Sequence, residues 1–145
     1  RGLGDVYKRQ IIMRSDIGNS KNGYQVRKYN DSVKRYCQTL DLKDNPELIE
    51  EYVNRHSKLN SWPEIRAGIR EVGILEMEIY IYNSRLFMIV ETPLDFDWDT
   101  AMEKLAHLPR QAEWEECMSV FQVSKPGASA TEKWTLMDRM FYLYN

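Results

Sequence analysis

A β-hairpin signal in the middle of the chain limits the possible folds more than any other feature. Two runs typical of strands, Ile74–Tyr82 and Arg85–Thr92, are separated only by Asn83 and Ser84, which suit a tight turn between antiparallel strands. Pro93 is expected to end the second run, because proline has no N–H to donate to a strand ladder. Side chains of the first run alternate between one apolar face (Leu75, Met77, Ile79, Ile81) and one polar face (Glu76, Glu78, Tyr80, Tyr82).

Further strands and helices are predicted on both sides of the hairpin. Apolar residues recur at helical spacing in three segments with capping residues or proline at their starts: residues 46–57, 62–72 and 97–121. Runs suited to strands occupy Val33–Leu42 and Lys133–Leu143. The resulting order predicts an α+β, ferredoxin-like (βαββαβ) fold, in which a four-stranded antiparallel sheet carries helices on one face.

The sheet face without helices is predicted to need a partner. It is expected to carry large aromatic side chains: Tyr80, Phe87, Trp134 and Tyr142. Because a contiguous exposed apolar surface normally marks a contact site, we expect a homodimer that packs sheet against sheet as a dimeric α/β barrel.

The length and composition predict one folded domain with an N-terminal extension. The chain has 145 residues, of which 43% are hydrophobic, so residues 33–145 can form one domain with one core. Residues 1–32 scatter glycines among polar residues without an apolar period, and this composition predicts disorder. Within this extension, Arg1–Gln10 resembles translated library-adapter sequence, and we leave it out of the fold prediction.

Charge and cysteine content exclude several classes of partner. The net charge of −2 predicts no electrostatic attraction to nucleic acid or to an anionic membrane surface. No apolar run reaches the roughly 18 residues that a membrane helix needs. Cys37 and Cys117 are too few for a disulfide framework, so we expect a cytoplasmic protein that binds neither nucleic acid nor membrane.

The stretch Glu50–Glu64 is predicted to hold the functional site. Tyr52 and His56 are four residues apart and would share one helix face, and Trp62 stands immediately before a proline that restarts the helix. Aromatic faces stack on C–H surfaces while polar tips bind hydroxyl groups, so this corner suits a small polyhydroxylated ligand. An imidazole there can also transfer protons near neutral pH.

These signals also have simpler structural interpretations. A histidine beside aromatic residues is more often a core or capping residue than a catalyst, and alternating Glu76 and Glu78 more often mark a solvated strand face. His56 and His107 lie far apart, and the sequence contains no H-x-x-x-H or C-x-x-C pattern. A glycine-rich phosphate loop is also missing, so we predict no metal and no other cofactor.

A combination of short motifs resembles the L-rhamnose mutarotase family over Lys34–Leu143. The most specific are E-E-Y-x-x-R-H at 50–56 and W-P-E at 62–64, followed by I-Y at 79–80, L-F at 86–87 and F-Y-L at 141–143. The resemblance implies a small dimeric ferredoxin-like isomerase that interconverts the α and β anomers of a deoxyhexose without a cofactor. By position it implies that His56 is the proton donor, Tyr52 a substrate contact and Trp114 the first residue of a tryptophan pair at the sugar site.

Two positions depart from the family pattern. Met77 stands where rhamnose-active members have a substrate tyrosine, and Glu115 stands where they have the second tryptophan. These replacements remove a hydroxyl group and a stacking surface, so L-fucose or a related deoxy sugar competes with L-rhamnose as the substrate. The predicted site consists of catalytic His56 and the sugar-binding residues Tyr52, Trp62, Met77, Glu78 and Trp114.

The implied chemistry requires two proton transfers and leaves one partner open. Opening a pyranose ring needs a proton delivered to the ring oxygen and a proton taken from the anomeric hydroxyl, and such acid–base help is worth about 10²–10⁴-fold. His56 can supply one half, and Tyr52, a carboxylate such as Glu78 or a water molecule the other. The rival interpretations are a non-catalytic dimeric small-molecule-binding module and a cofactor-independent oxygenase, since ferredoxin-like folds serve many functions.

Overall fold

The computed structural model describes residues 20–144 and contains one antiparallel sheet with helices packed on one side. A single 3₁₀ turn at Ser20–Asn22 precedes the domain. The strands are β1 (Val33–Asp41), β2 (Glu76–Tyr82), β3 (Arg85–Pro93) and β4 (Thr135–Met137). The helices are α1 (Pro46–Arg55), α2 (Pro63–Glu71), α3 (Trp98–Ala106), α4 (Gln111–Ser119) and α5 (Ala130–Lys133).

The sheet order confirms the ferredoxin-like prediction. The strands lie in the order β2-β3-β1-β4, so the two strands of the hairpin stay adjacent and β1 is inserted between β3 and β4. All three strand pairs are antiparallel. At the hairpin turn Asn83 adopts a φ of 54°, a left-handed conformation that asparagine tolerates better than most residues. The predicted hairpin is therefore confirmed, with Pro93 as the last residue of β3.

The predicted helical segment 97–121 is two helices. Asp97 caps α3 by accepting a hydrogen bond from the Thr100 N–H at 3.0 Å, but α3 ends at Ala106. The break falls around Pro109, since proline disfavours helical geometry in the residue before it and lacks a helical N–H. Arg110 then takes a left-handed φ of 64° before α4 begins. The predicted helical region is therefore helical at both ends and interrupted between Ala106 and Gln111.

The predicted last strand is much shorter in the structure. Only Thr135–Met137 pairs with β1, and Lys133 belongs to α5 instead. A capping box between Ser129 and Glu132 starts this short helix. Trp134 is only 8% exposed and belongs to the hydrophobic core, so its predicted place on the open face was wrong.

The hydrophobic core lies between the helices and one face of the sheet. Its sheet side is formed by alternate residues of β1 and β3, and its helix side by residues of α1, α2 and α4: Leu40, Leu86, Met88, Val90, Ile49, Tyr52, Ile65, Trp114 and Met118. Phe121 and Trp134 close the end of the core beyond α4. The other face of the sheet, called here the open face, carries the alternate residues, including Phe87, Ile89 and Glu91.

The segment before β1 contacts the open face. The Tyr24 ring lies 5.6 Å from the Tyr80 ring, edge to face, and the Tyr29 hydroxyl donates to Glu91 Oε1 at 3.0 Å. Of the predicted extension, residues 1–19 lie outside the described residues. Its disorder and the domain boundary at residue 33 stay predictions.

Candidate active site

Helix α1 holds Tyr52 and His56 on its buried side. Its start is determined locally, because Asn45 Oδ1 accepts hydrogen bonds from the N–H groups of Glu47 and Leu48 at 3.0 and 3.2 Å. Tyr52 is only 3% exposed, and His56 is the C-cap residue of the helix. The predicted placement of both side chains on one helix face is confirmed, since their rings lie 4.4 Å apart.

A backbone hydrogen bond defines the protonation state of His56. Its Nδ1 lies 2.7 Å from the carbonyl oxygen of Tyr52, and a carbonyl only accepts, so Nδ1 carries the hydrogen. Burial lowers the pKa of His56, the hydrogen bond to Tyr52 raises it, and the charge of Arg66 lowers it further; the net shift is downward. At neutral pH the ring is therefore uncharged, and Nε2 is the nitrogen that can accept a proton.

Two tryptophans enclose His56. The Trp114 ring contacts the His56 ring edge to face at 5.3 Å, and the Trp62 ring contacts Trp114 at 5.2 Å. Trp62 is the N-cap of α2, so the proline-restarted helix places it at this corner as the sequence predicts. The Arg110 guanidinium lies 3.8 Å from the centre of the Trp62 ring, a cation–π contact that fixes the outer indole.

These residues border a cavity of about 810 Å³. Such a volume is in the range of small-molecule sites and leaves room for a monosaccharide with water. All predicted site residues border it: Tyr52, His56, Trp62, Met77, Glu78 and Trp114. The structure thus brings together side chains from α1, α2, α4 and β2 that are up to 62 positions apart in sequence.

The Glu78 side chain points in a different direction from the other predicted site residues. Met77 packs against the core, and because side chains alternate along a strand, Glu78 points to the opposite side of β2. Its Oε2 accepts a hydrogen bond from the Tyr80 hydroxyl at 3.1 Å. Within residues 20–144 no hydrogen bond joins Glu78 to His56 or Tyr52, so Glu78 is poorly placed as the partner of the imidazole.

The Tyr52 ring contacts the His56 ring, and Tyr52 borders the same cavity. Its hydroxyl oxygen accepts a hydrogen bond from Gln122 Nε2 at 3.3 Å, which leaves the phenolic hydrogen for another acceptor. Burial raises the pKa of Tyr52 well above its usual range, the bond from Gln122 lowers it, and the charge of Glu115 raises it. The phenol therefore stays protonated at neutral pH and can donate to a ligand oxygen.

Sequence reasoning missed the polar residues of the cavity wall. Buried Gln38, Gln111 and Gln122 and partly buried Glu115 all border the cavity. One signal was available, because Gln38 falls on the same strand face as Tyr36 and Leu40, where an apolar residue is expected. For Gln111 and Gln122 the sequence contains no such pattern, since Gln111 begins a weakly amphipathic helix and Gln122 follows its end.

The fold and the cavity define a class of protein. A small ferredoxin-like domain with an uncharged imidazole, a neutral phenol and two indoles in edge-to-face contact around one cavity is suited to bind a small neutral polyol and move protons on it. In the described part of the chain no group of three or more His, Cys, Asp or Glu side chains is arranged to hold a metal ion. No helix there has the length and apolar character needed to cross a membrane.

Comparisons with known proteins identify the family. The L-rhamnose mutarotase family model matches residues 35–143. An L-fucose mutarotase of Xanthomonas campestris is 37% identical over 112 residues, which cover 77% of this chain and 90% of that protein. A UPF0734 protein of Dictyostelium discoideum is 37% identical over 114 residues, which cover 76% of this chain and 90% of that protein. The chain belongs to the L-rhamnose mutarotase family and is an isomerase that interconverts sugar anomers.

A solved structure supports the fold independently. The crystal structure of an L-rhamnose mutarotase from Formosa agariphila superposes with a TM-score of 0.57 at 20% identity, covering 76% of this chain and 98% of that chain. The family resemblance and the ferredoxin-like prediction are thus confirmed. The comparisons give no support to the non-catalytic binding module.

Proposed function

We propose that the substrate is L-fucose and that His56 transfers the protons in its mutarotation. Two observations support this sugar over L-rhamnose. Met77 and Glu115 replace the tyrosine and the second tryptophan implied for rhamnose-active members, and one of the two relatives at 37% identity, the Xanthomonas campestris protein, is named for L-fucose. L-fucose and L-rhamnose are both 6-deoxyhexoses that differ in configuration at C2 and C4, so a changed set of polar contacts is the expected basis of selection.

The hydrogen bond from His56 Nδ1 to the Tyr52 carbonyl is the observation that carries the mechanism. Because Nδ1 is engaged, proton transfer runs through Nε2, which in the neutral ring first accepts the proton of the anomeric hydroxyl. The electrons of that O–H bond then form the carbonyl at C1, the C1–O5 bond breaks, and O5 takes up the proton of the Tyr52 hydroxyl, which returns to Tyr52 when the ring closes. This proposed order differs from the expectation that His56 is the proton donor, because the lowered pKa of His56 favours the free base.

Tyr52 is proposed as the group that stabilises the ring oxygen. Its protonated hydroxyl can donate a hydrogen bond to O5 while negative charge develops there. The open-chain aldehyde then rotates about C1–C2 and closes by the reverse steps on the other face of the carbonyl. The proton held by the imidazolium returns to the new anomeric oxygen, so the enzyme ends in its starting state. Trp62, Trp114 and Met77 supply the apolar contacts to the sugar.

The test is saturation-transfer NMR on the anomeric protons of L-fucose and L-rhamnose. We expect the wild-type protein to accelerate exchange of both sugars, with the higher kcat/KM for L-fucose, and His56→Asn to lose most of the acceleration. His107→Asn is the matched control, since His107 makes the same Nδ1 contact to a carbonyl four residues earlier, at 2.9 Å, but is exposed. Equal activity of His56→Asn and wild type would contradict the assignment, and a higher rate on L-rhamnose would contradict the sugar.

A homodimer is proposed from the apolar character of the open face. Phe87 and Ile89 lie in its middle and Met137 at its β4 edge. The residues after β4 are also exposed and largely apolar, with Met140 94%, Phe141 71% and Leu143 70% exposed. Sedimentation velocity should give about twice the chain mass of 17.2 kDa. A single species with the mass of one chain would refute the dimer.

We place the protein in the cytoplasm. Its two cysteines, Cys37 and Cys117, are free and partly buried, which suits a reducing compartment. Fractionation of the producing cells with an antibody to the protein should recover it with the cytoplasmic fraction, and recovery from the periplasm or medium would contradict this placement.

A further inference from the structure

Two buried amide oxygens at the cavity wall are hydrogen-bond acceptors without a partner among the described residues. Gln122 is 3% exposed and Gln111 is 6% exposed, and both border the cavity. Within residues 20–144 neither Gln122 Oε1 nor Gln111 Oε1 has a hydrogen-bond partner. Buried polar atoms are almost always paired in folded proteins, so unpaired acceptors beside a cavity point to a donor that arrives with a ligand.

The structure holds Gln122 in place from both ends. Its backbone pairs with Leu42 in an isolated bridge after α4, and its Nε2 donates to the Tyr52 hydroxyl oxygen. The amide nitrogen is thus occupied and the amide oxygen is not. A sugar hydroxyl is the kind of donor that this oxygen lacks.

Glu115 is a second fixed acceptor on the same wall. Lys133, whose side chain is fully buried, donates to the Glu115 backbone carbonyl at 2.5 Å and to Glu115 Oε1 at 3.2 Å. Gln111 Nε2 donates to Glu115 Oε2 at 2.7 Å. The Lys133 ammonium neutralises the Glu115 carboxylate. The two carboxylate oxygens keep lone pairs for further donors.

Glu115 directly follows Trp114, whose ring contacts His56. Gln122 Nε2 donates to the Tyr52 hydroxyl, and all of these residues border the same cavity. Glu115 and Gln122, named here the polar wall, therefore lie around the same end of the cavity as the proposed proton-transfer pair. Two acceptors held at different points of a rigid wall can distinguish sugars by the direction of their hydroxyl groups.

We propose that the polar wall determines substrate specificity: Gln122 Oε1 and the Glu115 carboxylate each accept a hydrogen bond from a different hydroxyl of the sugar. Lys133 and Gln111 are positioning residues, which hold the carboxylate. The proposal rests on the proposed function in that its ligand is a deoxyhexose. At position 115 a carboxylate that binds a hydroxyl then takes the place of a stacking side chain. The protein would therefore select its sugar by the arrangement of the hydroxyl groups and not by the apolar faces.

The experiment measures kcat and KM by saturation-transfer NMR for wild type, Gln122→Met and Glu115→Gln. The substrates are L-fucose and its 2-deoxy, 3-deoxy and 4-deoxy analogues. Each variant should lose about tenfold to a hundredfold in kcat/KM on L-fucose, mostly through a higher KM. Each variant should show almost the same kcat/KM as wild type on the one analogue that lacks the hydroxyl bound by the replaced side chain. That analogue should differ between the two variants.

The controls separate this proposal from the proposed function. Glu116→Gln changes an exposed neighbouring glutamate and should leave the kinetics unchanged. Lys133→Met should reproduce the Glu115→Gln pattern across the analogues, because the carboxylate loses its anchor. Gln122→Met removes an unpaired buried acceptor together with the hydrogen bond from Nε2 to the Tyr52 hydroxyl, and the variant is expected to fold, with a melting temperature close to that of wild type.

Equal losses on all four sugars, or unchanged KM values in both variants, would overturn the polar wall. A wild-type protein that accelerates none of the sugars would instead overturn the choice of substrate, before any variant is compared.

Discussion

Polar side chains on the two sides of the sheet differ in how their hydrogen bonds are completed. On the helix-covered side, the buried amides of Gln111 and Gln122 each keep an oxygen without a partner among the described residues. On the open face, Glu91 is just as buried, but its carboxylate accepts from Tyr29 and from Arg35 at 2.7 Å. Unpaired buried acceptors cost free energy, so the unpaired glutamine oxygens are expected only where a ligand supplies a donor. The Glu91 carboxylate already has its donors within the protein.

Burial raises the pKa of tyrosines on both sides of the sheet, Tyr52 at the cavity and Tyr29 and Tyr80 on the open face, so the two sides differ in the partners of their titratable groups. Around the cavity, burial lowers the pKa of His56 and raises that of Tyr52, so both are uncharged at neutral pH. On the open face the carboxylates of Glu78 and Glu91 contact hydroxyl or guanidinium groups. The comparison teaches that the surroundings, and not the residue types, separate a reactive site from a stabilised surface.

The largest expected effect contrasts two neighbouring residues of β3. Leu86 is 1% exposed on the helix-covered face, so Leu86→Ala should lower the free energy of unfolding by about 2–5 kcal/mol. Phe87→Ala on the open face should cost less in the monomer but should shift the dimer toward monomer. Urea unfolding at several protein concentrations, with sedimentation, measures both. Equal losses with no change in association would contradict the distinction between the two faces.

A pair of tyrosines tests which side takes part in catalysis. Tyr52→Phe removes the phenol beside His56 and should reduce kcat/KM by about tenfold to a hundredfold. Tyr80→Phe removes a hydroxyl that is bonded to Glu78 on the open face and should change kcat/KM less than about twofold. If Tyr80→Phe were the more damaging change, Glu78 would replace Tyr52 as the partner of the imidazole.

The pH dependence of stability should report the burial of His56. Since its pKa is lower in the folded state than the ordinary 6.5, the unfolded chain binds more protons at mildly acidic pH. Stability that depends on neutral His56 is therefore fully present above pH 6.5 and is lost as the pH falls through the folded pKa. A weak decline of kcat/KM should follow the same direction, because protonation removes the base.

Thermal unfolding between pH 7.5 and 5 measures this loss for wild type and for His56→Asn. The variant should show a smaller decline, while His107→Asn should decline as wild type does. An identical decline in wild type and His56→Asn would mean that other groups cause it.

The smallest expected effect belongs to the Arg35–Glu91 ion pair. Arg35 is well exposed, with 57% of its side chain accessible, so Arg35→Met should cost less than about 1 kcal/mol and less still at high salt. Denaturant unfolding at 0.05 and 1 M sodium chloride checks this. A loss that is large and independent of salt would show that the open face depends on this pair as much as the core depends on Leu86.

Much of the fold was predictable because its signals are local. The Asn83 turn, the alternation in β2, the Asn45–Pro46 start of α1 and the helix restart at Trp62 depend on neighbours within a few residues. The capping box between Ser129 and Glu132 was an equally local signal for α5. It would have shown that Lys133 ends a helix and is not the start of a long strand.

The sequence by itself determined the order of strands and helices, the pairing of Tyr52 with His56 and, through its motifs, the family. Only the tertiary structure decided that Trp134 is in the core and that Gln122 reaches Tyr52. The physical reason is range: turns, caps and helix faces follow from adjacent residues, whereas the burial and hydrogen bonds of Gln122 and Lys133 depend on segments 18 to 70 residues away.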